Sequence, residues 1–218
     1  MRFTTAIAAV RLNQLVETKA RILDAAREAV ALSGWKDAQI ALIASRAGVA
    51  TGSVYRYFDS KADLYAQVLG LVSEREVAVV AAIVEAEGSA SQCLVDAIYT
   101  FSVRAMRGRR LAYALIAEPC EPEIDAARLK YRAALADQIA RLVRRGIASG
   151  EFVEIDANVA ASCVTGAFME ALVGPLAPEA APDSDAAKAI AQSIAGLSAR
   201  MLFRHATPEL TPVSRVSA

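Results

Sequence analysis

Apolar side chains recur three and four positions apart along most of this chain, the spacing that places them on one face of an α-helix. The clearest such face is formed by Ile40, Ile43, Ala44 and Ala47. Gly48 follows directly, and glycine commonly ends a helix in the left-handed conformation because it has no Cβ. The pattern predicts a short helix that ends at this glycine.

A second short helix is expected directly after that turn. Thr51 is predicted as its N-cap, because a threonine hydroxyl can accept a hydrogen bond from a free backbone N–H. Val54 and Phe58 are four positions apart and are expected to face inward. Ser60 and Asp63 have the spacing of a capping box that begins the next helix. Two short helices joined by a glycine-containing turn form a helix-turn-helix, which places its second helix in the major groove of DNA.

The rest of the pattern predicts an all-α chain of about nine helices. Beyond the helix-turn-helix, the predicted helices cover residues 14–33, 61–86, 91–107, 109–117, 123–149, 156–173 and 185–205. Leu71 and Leu129 are among the residues expected to face inward, and the proline-containing segments 118–122 and 174–184 are expected to be loops. Residues 1–13 and 207–218 lack a period and are expected to form a mobile arm and a disordered tail. Arg2 and Arg11 in that arm could reach DNA, or the arm is simply a frayed terminus.

Composition indicates a soluble cytoplasmic protein with no membrane partner. The chain is 55% hydrophobic and 22% charged, and the apolar run at residues 5–10 is too short to span a membrane. Residues 1–65 hold nine Lys/Arg and six Asp/Glu, so this part is +3 and, because the whole chain is neutral, the rest is −3. A basic end suits contact with phosphates, although so small an asymmetry also fits ordinary scatter of surface charge.

The residues that could bind a metal ion are few and scattered. Cys93, Cys120 and Cys163 are far apart in sequence, and His205 is the only histidine. This distribution does not match the spacing of a metal site, and no metal and no cofactor are predicted. The cysteines are expected to be reduced and mostly buried.

One longer motif covers the helix-turn-helix: Ile43-Ala44-x-x-Ala47-Gly48-Val49-x-x-Gly52-Ser53-Val54-Tyr55-x-Tyr57-Phe58-x-Ser60-Lys61-x-x-Leu64. It resembles the N-terminal signature of the TetR/AcrR family of bacterial transcriptional regulators. The resemblance implies a three-helix DNA-binding domain over residues 14–65 and a ligand-binding and dimerisation domain over residues 66–206. It also implies a ligand-responsive repressor, released from a palindromic operator by an apolar or amphipathic small molecule.

The resemblance further implies which residues would contact double-stranded DNA: Gln39, Thr51, Gly52, Ser53, Tyr55, Arg56, Tyr57 and Lys61. Thr51 would hold a phosphate at the start of the recognition helix, and Lys61 would anchor another phosphate. Alternatively, the two tyrosines pack against the domain core and Arg56 is simply solvated. Gln39 stands where the family usually has a Ser or Thr cap, and Ala41 stands where members often have a polar residue. Only a weak phosphate contact is therefore expected from Gln39.

In the second domain, the resemblance implies a pocket for a small apolar or amphipathic effector. The large or polar-tipped side chains best able to line it are Leu69, Tyr99, Met106, Tyr113, Tyr131, Phe168 and Met169. Aromatic side chains with a polar tip suit such pockets. Each of these residues is also compatible with plain core packing.

The last two predicted helices favour a homodimer. The helix over residues 156–173 has almost no polar face, and the helix over residues 185–205 carries small residues that permit close approach. Two such helices from each subunit would form a four-helix interface, predicted at Cys163, Gly166, Ala167, Glu170, Ile190, Ile194, Leu197 and Met201. The alternative is that both are ordinary core helices of a monomer.

Two other functions fit the sequence less well. The first is a DNA-bound interaction protein whose second domain binds a protein; it would have a packed core and an exposed patch instead of an enclosed apolar cavity. The second is an enzyme. Glu118 and Glu121 form an acidic pair in a proline-containing loop, without a nucleophile motif, a phosphate loop or a nearby histidine. No catalytic residue is predicted.

Overall fold

The computed structural model describes residues 2–203, with side chains from residue 12 onward, and this part of the chain is helical without any strand. Its nine helices are α1 (Arg2–Asp37), α2 (Ile40–Ala47), α3 (Thr51–Val54), α4 (Lys61–Val84), α5 (Ala90–Arg107), α6 (Arg109–Ile116), α7 (Pro122–Ala148), α8 (Ala157–Leu176) and α9 (Ser184–Arg200). The predicted all-α class and helix-turn-helix are therefore present. The predicted tail over residues 207–218 lies outside the described residues.

Helix α1 begins much earlier than expected. It starts at Arg2 instead of residue 14, so residues 2–13, for which no helix is predicted, are helical. This stretch contains no Gly and no Pro, and a helix can continue through it without an amphipathic period because nothing interrupts the backbone hydrogen bonds. The predicted break at Gly34 is confirmed, since this residue has φ 81° and ψ −176° within α1.

The turn of the helix-turn-helix follows the prediction except at Thr51. Gly48 ends α2 with φ 67° and ψ 36°. The N-cap of α3 is Ala50, which lies in the extended conformation and accepts from the Ser53 N–H at 2.8 Å. Thr51 is instead the first helical residue, so its predicted capping role is wrong. Ser60 caps α4 as predicted, with its Oγ accepting from the Asp63 N–H at 2.9 Å.

Buried side chains form two hydrophobic clusters, and we call the corresponding parts of the chain the head and the body. The head comprises α1, α2, α3 and the first half of α4, and its cluster includes Val68 and Leu69. The body comprises the second half of α4 with α5 to α9, and its cluster includes Val80 and Val84. The predicted domain boundary at residues 65 and 66 thus lies inside one continuous helix. Ala114 of α6 also packs into the head cluster.

Some predicted faces and ends are wrong. Leu71 is 48% exposed and Leu129 is 67% exposed. The buried face of α4 contacts the head in the first half of the helix and the body in the second half, so one straight stripe does not describe it. In α7, Tyr131 faces inward in place of Leu129. Helix α8 continues through Pro175 to Leu176, and α9 ends at Arg200. Pro175 has no N–H to donate, so one helical hydrogen bond is lost there, and α8 ends one residue later.

Candidate functional site

The residues predicted to contact DNA surround α3 and are open to solvent to different degrees. Gln39, Thr51, Gly52, Tyr55 and Arg56 are exposed, whereas Ser53, Tyr57 and Lys61 are half-buried. Val54 and Phe58 are buried in the head cluster, as their spacing predicts. Gln39 occupies the N-cap position of α2 without a side-chain capping bond. The head therefore presents polar groups from α3 and the turn after it, while the apolar residues of the same segment hold that turn in place.

Lys61 is supported by the head core. Its Nζ lies 5.2 Å from the centroid of the Tyr65 ring, a cation–π contact. Tyr65 is buried, and burial raises the pKa of its phenol above the ordinary value, so the group stays protonated and donates to the Ala38 carbonyl. The Trp35 ring stacks at a tilt on Tyr65 with centroids 5.1 Å apart. This arrangement orients a half-exposed ammonium group at the start of α4.

The body contains a cavity of about 190 Å³ lined by residues of α4, α5, α6, α7 and α8. Most of its wall is aliphatic or aromatic, with Val72, Phe101, Leu111 and Leu135 as examples. Its polar lining residues are Ser73, Glu76, Arg104, Arg128, Tyr131 and Arg132. An apolar cavity with a few polar groups is the usual form of a small-molecule site.

The predicted ligand residues divide into two groups. The cavity is lined by Leu69, Tyr131 and Met169, and it is not lined by Tyr99, Met106, Tyr113 or Phe168. Phe168 lies behind the wall, where its ring meets the Phe101 ring edge-on at 5.3 Å. Tyr99, Met106 and Tyr113 instead pack into or against the body cluster, where side chains of that cluster surround them.

Sequence reasoning missed the charged residues of this cavity. Glu76 lies four positions after Val72 and four before Val80, where the apolar stripe of α4 would call for another apolar residue. Arg104 of α5 meets Glu76 in a two-point ion pair, with Nε–Oε2 and Nη2–Oε1 distances of 2.7 Å. The hydrogen bonds that Arg104 donates to Glu76 raise the pKa of Arg104. A charged residue that interrupts an apolar stripe was the available indication of this site.

Helix α6 contacts the cavity on one side and the head on the other. Leu111, Ala112 and Leu115 line the cavity. On the opposite side, Trp35 Nε1 donates to the Ala114 carbonyl at 2.6 Å. Arg110 donates to the Ser33 carbonyl at 2.7 Å and pairs with Glu118 at 3.0 Å. A shift of α6 would therefore act directly on α1.

The C-terminal end of α6 is held by α7. Arg128 donates to the carbonyls of Ala114 and Leu115 at 2.8 Å each, and it also donates to the Glu118 carbonyl. Its guanidinium pairs with Asp125 at 2.7 Å. These bonds satisfy carbonyls that have no partner within the helix. Arg128 therefore positions the helix that separates the cavity from the head.

The predicted dimer residues lie mainly on an exposed face of α8 and α9, which pack against each other. The exposed members are Cys163, Gly166, Ala167, Glu170, Leu197 and Met201. Ile190 is half-buried, and Ile194 is buried inside the body, where α5 covers that side of α9. The prediction of mostly buried cysteines is wrong for Cys163, which is exposed, and Cys120 is half-buried.

Helix α8 has the length and hydropathy of a membrane span, alone among the described helices. It packs against α5, α6, α7 and α9, and its inward residues Val164, Phe168 and Leu172 belong to the body cluster. A core helix meets the same criteria of length and hydropathy. One face of α8 is therefore buried in the body, while the opposite face is exposed.

A helix-turn-helix head that shares one long helix with an all-helical, cavity-containing body defines a class of ligand-binding transcriptional regulators. Comparison with family models agrees with this class. Residues 22–68 match the model of bacterial regulatory proteins of the tetR family, and residues 92–192 match the tetracyclin repressor-like C-terminal domain. The chain belongs to the TetR family.

Individual relatives match mostly over a short segment. The HTH-type transcriptional repressor KstR of Mycolicibacterium smegmatis is 42% identical over 59 residues, which are 27% of this chain and 29% of KstR. The fatty acid metabolism regulator protein of Bacillus subtilis is 41% identical over 59 residues, covering 25% of this chain and 30% of that protein. The chain thus spans less than a third of the length of these curated relatives. Both of these relatives are regulatory proteins.

A solved structure extends the likeness to the whole fold. The transcriptional regulator FadR from Bacillus subtilis, in complex with stearoyl-CoA, superposes with a TM-score of 0.72 at 22% sequence identity. The match covers 83% of this chain and 97% of FadR. At this level of identity the comparison establishes the shared fold of head and body.

Proposed function

We propose that this protein is a cytoplasmic repressor that binds a palindromic operator as a homodimer and releases it when a small apolar or amphipathic molecule enters the body cavity. The observation that carries the proposal is the position of α6, with the cavity on one face and the head on the other. Residues 14–65 would serve DNA binding and residues 66–206 ligand binding and dimerisation, with α4 shared between them.

The DNA contacts would come from the exposed groups around α3. Gly52 and Ser53 would approach base edges, and Thr51 and Lys61 would hold phosphates. Tyr55, which is 52% exposed, would place its phenol on a phosphate or against a thymine methyl group. Arg56 and Tyr57 would contact the backbone nearby, and Gln39 would add only a weak phosphate contact.

The dimer would form through α8 and α9. Gly166 and Ala167 are exposed in the middle of α8, where small side chains permit close helix approach. Leu197 is 62% exposed and Met201 is 45% exposed, which is apolar area that a second subunit would cover. Two heads held by this interface would face successive major grooves, about 34–36 Å apart.

The effector would occupy the cavity lined by Leu69, Tyr131 and Met169. A mostly apolar cavity between the helices of the body supports a small ligand over the alternative of a protein partner, which would need a packed core and an exposed patch. The stearoyl-CoA bound by FadR, a protein of the same fold, supports an acyl chain or a molecule of similar shape.

Ligand entry would move α6 and, through Trp35 and Arg110, would change the spacing of the two heads. Such a switch is a population shift between a DNA-binding and a released state. Moving the balance from one state almost fully to the other requires about 5.5 kcal/mol of differential binding. To supply this difference in binding free energy, the contacts that the ligand makes to Leu111, Ala112 and Leu115 would have to differ between the two states.

The decisive experiment measures binding to the DNA upstream of the protein's own gene across a series of salt concentrations. We expect a strong preference over random DNA and a steep salt dependence from several phosphate contacts per dimer. Addition of acyl-chain ligands should release the DNA. A protein with no sequence preference, or a complex that no small molecule dissociates while a protein partner does, would contradict the proposal.

A further inference from the structure

The ion pair between Arg104 and Glu76 lies in the wall of the cavity and joins α5 to α4. Its two 2.7 Å bonds have the parallel geometry in which a guanidinium binds a carboxylate most strongly. The Arg104 side chain is 33% exposed and that of Glu76 is 22% exposed, so both charges are largely withdrawn from solvent. A mostly apolar cavity thus contains a guanidinium that already holds one carboxylate.

The charges around the cavity are unequal. Arg104, Arg128 and Arg132 line it, whereas Glu76 is its only acidic lining residue. The charge of Arg128 is balanced by Asp125 outside the lining. Arg132 donates to the Ile116 carbonyl at 3.3 Å and has no ion pair among the described residues. The residues that line the cavity therefore carry more positive than negative charge, which favours entry of an anion.

We infer that the effector is an organic carboxylate with an apolar body, and that its headgroup replaces Glu76 on Arg104. This inference rests on the proposed function, because it assigns the chemical class of ligand at that cavity. Exchange of one carboxylate for another preserves both hydrogen bonds and the charge pairing of Arg104, and the second carboxylate also gains the attraction of Arg132, which lines the same cavity. A neutral ligand of the same shape would leave the existing pair intact, would gain apolar contacts and would gain nothing from the charge of Arg132.

The exchange of carboxylates on Arg104 would also couple the binding of a charged ligand to the head, through α4. Glu76 belongs to α4, the helix that begins at Lys61 beside the DNA-binding turn. In the ligand-free state the ion pair ties α4 to α5, and a competing carboxylate removes that tie. Ligand binding and the Glu76–Arg104 bond then oppose each other, so weakening the bond strengthens ligand binding by linkage.

The test compares fatty acids from octanoate to hexadecanoate with the primary alcohols of the same chain lengths. Binding to the full-length protein is measured by calorimetry, and the fluorescence of Trp35, the only tryptophan, reports changes at the head–body contact. We expect the best carboxylate to bind at least about tenfold more tightly than its alcohol, as charge-assisted bonds require. Arg104→Gln should abolish this preference, so that an acid and its alcohol bind with similar affinity. Glu76→Gln should instead strengthen carboxylate binding.

Arg141→Gln is the matched control, because Arg141 and Glu85 form another ion pair to α4, but one that is exposed and outside the cavity lining. It should leave the affinity ratio of acid to alcohol unchanged. Opposite effects of the Arg104 and Glu76 variants on carboxylate affinity would support the inference, since a purely structural pair would weaken both probes in both variants.

Other outcomes would overturn the headgroup assignment. Equal binding of acids and alcohols, or binding of decanoyl-CoA without binding of any free carboxylate, would do so and would leave the proposed function intact. Absence of binding by acids, alcohols and thioesters alike would overturn both the headgroup assignment and the apolar-ligand part of the proposed function. If the wild-type protein shows no preference for the operator over random DNA, the DNA-binding part of the proposed function is contradicted, whatever the acid-to-alcohol ratio.

Discussion

Trp35 of the head and Arg128 of the body donate hydrogen bonds to the same oxygen atom, the carbonyl of Ala114. The Trp35 Nε1 lies 2.6 Å from this oxygen and the Arg128 Nη2 lies 2.8 Å from it. A carbonyl oxygen has two lone pairs and can accept both bonds. Ala114 is fully buried in α6, so its carbonyl is a single point at which head, body and the wall helix of the cavity are joined.

This shared acceptor predicts non-additive stability. In Trp35→Phe the Ala114 carbonyl still accepts from Arg128, and in Arg128→Met it still accepts from Trp35. The double variant leaves a buried carbonyl without a partner, which costs about 1–3 kcal/mol. Urea unfolding followed by circular dichroism should therefore show a loss in the double variant that exceeds the sum of the single losses by about 1 kcal/mol.

Trp35→Phe combined with Arg141→Met provides the control for this cycle, because Arg141 is exposed and makes no contact with the Ala114 carbonyl. That combination should be additive within about 0.5 kcal/mol. If the losses of unfolding free energy from Trp35→Phe and Arg128→Met are also strictly additive, the two donors do not compensate for each other.

Gly34→Ala should destabilise the protein. With φ 81° and ψ −176°, Gly34 lies in a region that only glycine commonly occupies, and a Cβ there would overlap the Arg110 guanidinium and the Glu118 carboxylate. We expect the free energy of unfolding to fall by about 1–3 kcal/mol. Gly174→Ala is the control, since its Cβ would enter open space. A Gly34 variant as stable as the control would contradict the described break in α1.

Tyr55→Ala and Lys61→Ala should weaken operator binding with little effect on the melting temperature, because both side chains are at least partly open to solvent. Loss of the Lys61 phosphate contact should also reduce the salt slope of binding by about one per subunit. Lys130→Ala is the control: its Nζ lies 5.5 Å from the centroid of the Tyr131 ring, a comparable cation–π contact in the body. If Tyr55→Ala and Lys61→Ala instead unfold the head, these residues have structural roles.

Ala167→Glu should separate the proposed dimer. Ala167 is exposed on α8 beside Glu170, so the substitution would bring a larger, like-charged group into the interface. Sedimentation should show a shift toward monomer, and operator affinity should fall by about 100-fold as the two heads lose their linkage. Ala133→Glu, at an exposed position of α7, should change neither quantity. A dimer that tolerates Ala167→Glu would place the interface elsewhere.

Glu151→Gln should lower stability in a pH-dependent way. The Glu151 carboxylate accepts from Ser89 Oγ at 2.6 Å and from the N–H groups of Ala90 and Ser91 at 2.9 and 3.0 Å, which caps α5. These hydrogen bonds, that of Ser89 first, hold the pKa of Glu151 well below its ordinary value of 4.5. A lowered pKa gives stability that is fully present above about pH 4.5 and is lost as the pH falls below it.

The melting temperature of Glu151→Gln should therefore lie below that of the wild type at pH 7, and the gap should narrow progressively below about pH 4.5. Glu154→Gln, at an exposed position of the same loop, should show no such gap. A gap that is independent of pH would indicate that the shape of the side chain, rather than its charge, supports the α5 terminus.

Features that depend on near neighbours in the chain were predictable from the sequence. Gly48 ends α2, Ser60 caps α4 and Val54 and Phe58 point inward, because backbone conformation and local hydrogen bonds decide each of these. The helix-turn-helix motif and the exposed groups around it follow from the same short-range pattern. Even there, Thr51 proved to be helical, since the turn placed Ala50 at the N-cap.

Only the tertiary structure decided which faces meet and where space remains. It placed Leu71 and Leu129 on the surface, and it put Tyr131 but not Tyr99 in the cavity wall. It also paired Arg104 with Glu76 across two helices. Helical periodicity assigns side chains to a face, but the partner of that face comes from a distant segment, and the packing of five helices determines whether their shared interior is filled or hollow.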